Sequence, residues 1–260
     1  MCILFIALHS HDRYPVIIAA NRDEFYERPT SPAEFWDERP EVLAGRDLKE
    51  GGTWLGITKT GRIAAVTNFR NPRTLKEEAP SRGMLVSEYL CADESAPRFI
   101  EHLRGEAERF NGFNIVLGDY EGLWYYSNVG DEAVRLPEGL HGISNHLLNT
   151  PWPKVLRART RLGTLMKESD DPSPDDIFEV LADTSRPDDS LLPDTGVGIE
   201  WERILSPLFV VSPHYGTRSS TCIFVDMKGS ARFIERVYNG TPSCFTTRAF
   251  AFTMEPAGHA

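Results

Sequence analysis

A cysteine stands directly behind the initiator methionine, in the opening stretch MCILFIALHSH. Methionine aminopeptidases remove Met1 when the second residue is small, and cysteine qualifies. Cys2 would then carry a nucleophile and a base on one residue. An α-amine has an ordinary pKa of about 8, well below that of lysine. It accepts the thiol proton directly or through a water. This chemistry suits attack on an amide or thioester carbonyl, followed by hydrolysis of the acyl-enzyme. It also needs donors for the oxyanion. Asparagine amides supply such donors, and Asn21, Asn68 and Asn145 stand at strand ends or turns. A second reading stays open, because cysteine is among the most buried residue types and packs as a small hydrophobe.

The second apolar run ends in Asn21, Arg22, Asp23 and Glu24. In a regular strand Asn21 and Asp23 share one face, and Arg22 and Glu24 the other. Four such residues cannot enter an apolar layer unpaired. One reading is a solvated strand end with an Arg–carboxylate pair. The other sets part of the cluster beside Cys2 through a hairpin register. Arg22 would then orient a carbonyl or bind a carboxylate, and Asp23 would hold the α-ammonium or Arg22. Trp54, in GGTWLG, offers a flat wall for a binding site or an ordinary core ring. Arg218, in YGTRSST, precedes a strand and faces either the same pocket or solvent. Haem iron accepts histidine or thiolate, and His9, His11, His146 and His214 are the candidate histidines, none within a diagnostic motif.

These residues need elements to place them. Residues 2–8 and 16–20 read as strands joined by a hairpin. Residues 28–47, rich in proline and charge, read as a loop. Residues 53–58 and 62–68 form a hairpin around Lys59-Thr60-Gly61, and 71–82 read as loop. From 82 to 110 the pattern is helical, with Pro97 near a second start. A hairpin follows over 113–118 and 123–127, then short strands at 134–136 and 140–144. Helices are predicted over 152–168 and 174–183, the second with Ser173 as cap and Pro174 at its first position. Residues 183–199 read as loop, and strands close the chain at 208–212, 219–227, 231–237 and 247–253. Hairpins and helices in separate blocks predict a layered α+β fold in a single domain over 1–260.

The chain has 260 residues and a formal charge of −10. That field repels phosphate backbones, so nucleic acid is a poor partner. No stretch reaches the roughly 18 apolar residues of a membrane helix. The four cysteines, Cys2, Cys91, Cys222 and Cys244, are scattered without metal spacing and point to a reducing, cytoplasmic compartment. Oligomeric state is not legible.

Cys2, AANRDEF, GGTWLGI, AAVTNFRNP and TRSST together resemble the NRDE-motif family, also called the transport and Golgi organisation protein 2 family. The resemblance runs over essentially the whole chain. It implies the N-terminal nucleophile hydrolase fold, an αββα sandwich of two antiparallel sheets between helical layers. It also implies a distant likeness to penicillin V acylases and bile salt hydrolases, whose nucleophile is likewise a cysteine. Carried over, Cys2 matches the nucleophile, Asn68 an oxyanion-hole asparagine, and Asn145 a second one more loosely. The acylases separate an arginine from its aspartate by two residues. Here Arg22 and Asp23 are adjacent and should face opposite ways unless the backbone bulges. Two functions are implied. One is hydrolysis of a small amide or acyl compound, with no cofactor. The other is a non-enzymatic carrier of haem or acyl-CoA in the same pocket. In either, Asn21, Glu24, Trp54 and Arg218 would contact the ligand.

Overall fold

The structure is a computed structural model that describes residues 2–255. The strands of its first half are β1 (Cys2–Leu8), β2 (Val16–Phe25), β3 (Thr30–Trp36), β4 (Arg39–Asp47), β5 (Leu55–Thr58) and β6 (Ile63–Asn68). Helices α1 (Arg82–Cys91) and α2 (Ala96–Glu106) follow. Next come β7 (Phe113–Asp119), β8 (Gly122–Ser127), β9 (Glu132–Arg135) and β10 (Gly139–Ser144). Helices α3 (Pro153–Glu168), α4 (Pro174–Leu181) and α5 (Ile199–Leu205) precede β11 (Tyr215–Val225), β12 (Ser230–Tyr238) and β13 (Phe245–Thr253).

Two antiparallel sheets stack face to face. One has the order β10-β1-β2-β11-β12-β13, the other β3-β4-β5-β6-β7-β8-β9. Side-chain alternation divides each strand between two apolar layers. Leu4, Ile6, Ile18, Ile57 and Val116 fill the space between the sheets. Phe5, Ile17 and Phe224 face outward onto α3 and α4, packing on Val155, Leu162 and Phe178. Val42, Val66 and Ile115 face the opposite way, onto Leu85, Tyr89 and Phe99 of α1 and α2. The result is the αββα sandwich. Strands covered on both faces explain why β1 reads as an unbroken apolar run.

Three expectations need correction. Residues 28–47 are not a loop but hold most of the hairpin β3–β4. Its alternation is interrupted by Pro32 and by two register shifts, which hide the strand pattern. Residues 208–212 contribute only an isolated bridge from Val211 to Gly216, and the long strand starts at Tyr215. The loop read over 183–199 leads into the unexpected helix α5. In addition, β2 runs on to Phe25, so Asn21, Arg22 and Asp23 are buried strand residues and not a solvated strand end.

Glu235 on β12 links the sheets. Its Oε2 accepts from the Ala33 backbone N–H of β3 at 2.7 Å. Burial raises this carboxyl from 4.5 to about 7. Across that window the folded chain retains a proton that the unfolded chain has released, so this group's contribution to stability falls as pH rises. Glu235→Gln keeps an acceptor for Ala33 and removes the titration. Thermal melts at about pH 5 and about pH 8 should show a loss in the wild type several degrees larger than in the variant. Equal losses would contradict the assignment.

Candidate functional site

The antiparallel register places Cys2 opposite Arg22 and Ile3 opposite Asn21. Cys2 opens β1 three residues before β2 ends, so Asp23 and Glu24 overhang its start. On the other side, β2 pairs with β11, whose register shifts between Thr217 and Ser219, next to Asp23 and Arg22. The bulge anticipated for an adjacent Arg–Asp pair therefore lies in the neighbouring strand. Arg22 projects between the sheets, its guanidinium 4.2 Å from the centre of the Trp54 ring and 3.3 Å from Thr30 Oγ1. Asp23 accepts from Thr217 Oγ1 at 2.7 Å. Both residues nevertheless border the same cavity, because it lies at the strand ends.

That cavity has a volume of about 230 Å³ and is open to solvent. Cys2, Arg22 and Asp23 meet Trp54, Asn68 and Glu24 there. Cys2 is half-buried at this place. Burial pushes its thiol up from the ordinary value, so the resting group is a thiol and not a thiolate. Burial likewise raises the Asp23 carboxyl. A thiol in this state would need a base in contact to act as a nucleophile.

The far wall comes from the start of the helix expected from residue 82 and from two segments, 28–47 and 71–82, that read as loops in the sequence. Ser81, Arg82 and Gly83 start α1 at the cavity edge, and Arg28 and Asp47 border it as an ion pair of 2.6 Å. Burial lowers the Arg82 guanidinium, and the Cys2 thiol is among the groups that act on it. No motif marks Arg82 or Asp47; only the pairing of β4 and the start of α1 bring them to the cavity. The GGTWLG segment owes its position to close backbone contact. A Cβ on Gly52 would stand 2.4 Å from the Gly83 carbonyl carbon, and one on Gly45 would stand 2.3 Å from the Trp54 ring. Glycine at 45 thus leaves space for the ring that carries Arg22.

The remaining sequence candidates divide. Asn21 faces the helical layer, where its Nδ2 donates to the Leu181 and Leu208 carbonyls and its Oδ1 accepts from Ser220. It is a fully buried brace and does not border the cavity. Asn145 sits in a left-handed turn with φ of 53°. Its Nδ2 donates to the Asn68 backbone carbonyl at 3.0 Å, so it supports Asn68 from behind. Arg218 donates to the Phe25 and Arg28 carbonyls and lies beside a separate small hollow with Glu235. Behind Asn145 lies a buried ion pair missed in the sequence, Arg70 to Glu202 at 2.8 Å. Buried Lys154, lowered to about 8 by burial, donates to the Leu205 carbonyl nearby.

The histidines are not gathered at the cavity. His9 and His214 are exposed, His11 contacts the Ser169 carbonyl, and His146 packs against Phe69 and Trp152. The lining of the cavity is mostly charged and polar, with Cys2 and Trp54 in it and no histidine. Among the described residues no cluster of His, Cys, Asp and Glu could hold a metal ion, and no helix is long and apolar enough to cross a membrane.

Two stacked antiparallel sheets between helical layers, with a cysteine at the head of the first strand, define a protein of the N-terminal nucleophile hydrolase fold. Two structures of the conjugated bile acid hydrolase from Clostridium perfringens share it. The C2A mutant superposes with a TM-score of 0.51 at 9% identity, covering 98% of both chains. A second variant gives 0.52 at 10% identity, covering 100% of both. At such identities the likeness concerns the fold alone. The chain belongs to the Transport and Golgi organisation 2 family, which matches residues 1–240. The Transport and Golgi organization protein 2 homolog of Bos taurus is 36% identical over 98% of this chain and 100% of its own length. The Homo sapiens homolog is 34% identical with the same coverage. The Drosophila melanogaster protein is 30% identical over 92% of this chain and 93% of its own.

The Gly52–Gly83 contact gives a direct check on how the cavity wall is held. The three atoms nearest the added methyl of Gly52→Ala are all backbone, in Gly83 and Met84, so α1 must shift. The substitution should cost about 1–3 kcal/mol in urea unfolding. Gly51→Ala differs in cause, since Gly51 has φ of 78° and open space around its Cβ direction. An unchanged midpoint for Gly52→Ala would show that the two segments are not in contact.

Proposed function

We propose that Cys2, freed by removal of Met1, is the nucleophile of a hydrolase acting on a small amide or acyl compound. The observation that carries this reading is the position of Cys2, half-buried beside a polar cavity and locked opposite Arg22 by strand register. The modest cavity suits a small group at the reacting centre. The shared hydrolase fold supports the reading without identifying a substrate.

In this reading the α-amine of Cys2 takes the thiol proton as sulfur bonds to the carbonyl carbon. Asn68, which lines the cavity, would donate its side-chain amide to the oxyanion. Arg22 orients the carbonyl side of the substrate. Its stacking on Trp54 and its bond to Thr30 restrict the guanidinium before substrate arrives. The C–N bond breaks as the ammonium returns its proton to the leaving nitrogen, and a thioester remains. Water then adds to the thioester carbon, giving its proton to the amine. The acid departs and the thiol is restored. Asp23, one residue beyond the strand partner of Cys2, would hold the α-ammonium between these steps, and a cation there would favour its ionised form.

Intact mass after incubation with a thiol-directed acyl probe tests the proposal. The expected product lacks Met1 and carries one acyl group on Cys2. Cys2→Ser should keep the wild-type melting temperature and lose the thioester adduct. Active protein that retains Met1 would contradict the reading. So would saturable ligand binding that is indifferent to Cys2→Ala and never leads to an adduct, the behaviour of a carrier.

A further inference from the structure

The two sheets have four edges, and three are blunted. Edge strand β3 contains Pro32 and two register shifts. Edge strand β9 is four residues long. Edge strand β10 is six residues long, with Gly139 in the left-handed region at φ of 130°. Short strands, prolines and irregularities are the means by which proteins prevent edge-to-edge pairing. The fourth edge, β13, has none of them. It pairs with β12 over nine unbroken positions, from Phe245 opposite Tyr238 to Thr253 opposite Ser230. Its sequence, FTTRAFAFT, holds no proline, glycine or lysine.

The outer row of backbone groups on this strand has no partner among the described residues. Up to Glu255, the last described residue, the chain does not fold back over it. Met254 N–H donates to the Gly229 carbonyl and Glu255 N–H to the Lys59 carbonyl, which carries the chain across toward the other sheet. The two faces of β13 differ. Phe250 and Phe252 pack inward against Phe35. Thr247, Ala249, Ala251 and Thr253 lie on the other face and are exposed and small.

We propose that β13 pairs with β13 of a second copy of this chain, joining the two six-stranded sheets about a twofold axis at Ala249. The strand is complementary to itself in that register. Ala249 meets its own copy on the axis. Arg248 lies opposite Phe250, a guanidinium beside a ring. Thr247 lies opposite Ala251, Thr246 opposite Phe252, and Phe245 opposite Thr253. Arg248 is the only charged residue of the strand, so no like charges face one another. The contact is isologous and closes after two copies, as a twofold interface must. The inward phenylalanines of both copies would then form one apolar layer beneath the joined strands.

Sedimentation velocity on the full chain over a range of concentrations tests this. The wild type should be a dimer. Ala249→Lys sets two ammonium groups against each other on the axis and should give a monomer, while the exposed position keeps the melting temperature unchanged. Ala249→Glu should behave likewise. Mixing the two variants should restore a dimer containing one copy of each. A monomeric wild type overturns the proposal. So does a dimer that survives both substitutions, or monomeric variants that fail to pair when mixed; the last outcome would point to a different partner for this edge.

Discussion

The antiparallel register between β1 and β2 is the constraint on which the site depends. Both strands are covered on both faces, by the second sheet on one side and by α3 and α4 on the other. A slip of one residue would exchange Leu4, Ile6 and Ile18 with Phe5, Ala7 and Ile17, and every side chain would enter the wrong layer. The pairing is therefore held by the whole core. Its last pair is Cys2 with Arg22. Arg22 in turn lies against Trp54, and the Trp54 ring fits because position 45 has no side chain. Hydrophobic packing far from the cavity thus sets the distance between a thiol and a guanidinium at its edge.

Around this point the protein accepts burial of polar groups that its core alone would reject. Arg22, Asp23, Arg70, Lys154, Glu202 and Glu235 are all buried. Several are satisfied by specific partners: Thr217 for Asp23, Glu202 for Arg70, the Leu205 carbonyl for Lys154 and the Ala33 amide for Glu235. Buried ionic groups of this kind seldom add net stability, because desolvation offsets their attraction. Their concentration at one end of the sandwich marks where local rules of folding give way to another demand. The Asn145–Asn68 contact shows the same arrangement at smaller scale. The Asn145 amide holds the backbone of Asn68, a residue that lines the cavity.

Much of the sandwich was legible in the amino-acid order. The runs of β1 and of the first half of β2, the hairpins β5–β6 and β7–β8, and the helices α3 and α4 follow from simple periodicity and from proline and serine at helix starts. The β3–β4 hairpin did not. Its inward residues are few, and Pro32 and the charged positions between them resemble a loop. Cys2, Arg22, Asp23, Glu24, Trp54 and Asn68 border one cavity; the hairpin register accounts for the first four, whereas Trp54 and Asn68 come from the other sheet, and only residue type and resemblance pointed to them. Asn21 was misjudged because alternation turns it toward the helices. Arg82, Arg28 and Asp47 could not be found at all. They reach the cavity through contacts between distant segments, such as Gly52 against Gly83, that leave no periodic signal.

The central claim is that Cys2 opens onto a cavity while the rest of its strand is sealed in the core. Native-state alkylation with a small neutral reagent, mapped by mass spectrometry across the four cysteines, tests it most directly. Cys222 is completely buried, Cys244 is exposed, and Cys2 is half-buried. The account predicts that Cys2 is modified in the folded protein while Cys222 reacts only after unfolding. If Cys2 instead stays silent alongside Cys222 until the protein unfolds, its sulfur belongs to the core and the site described here does not exist.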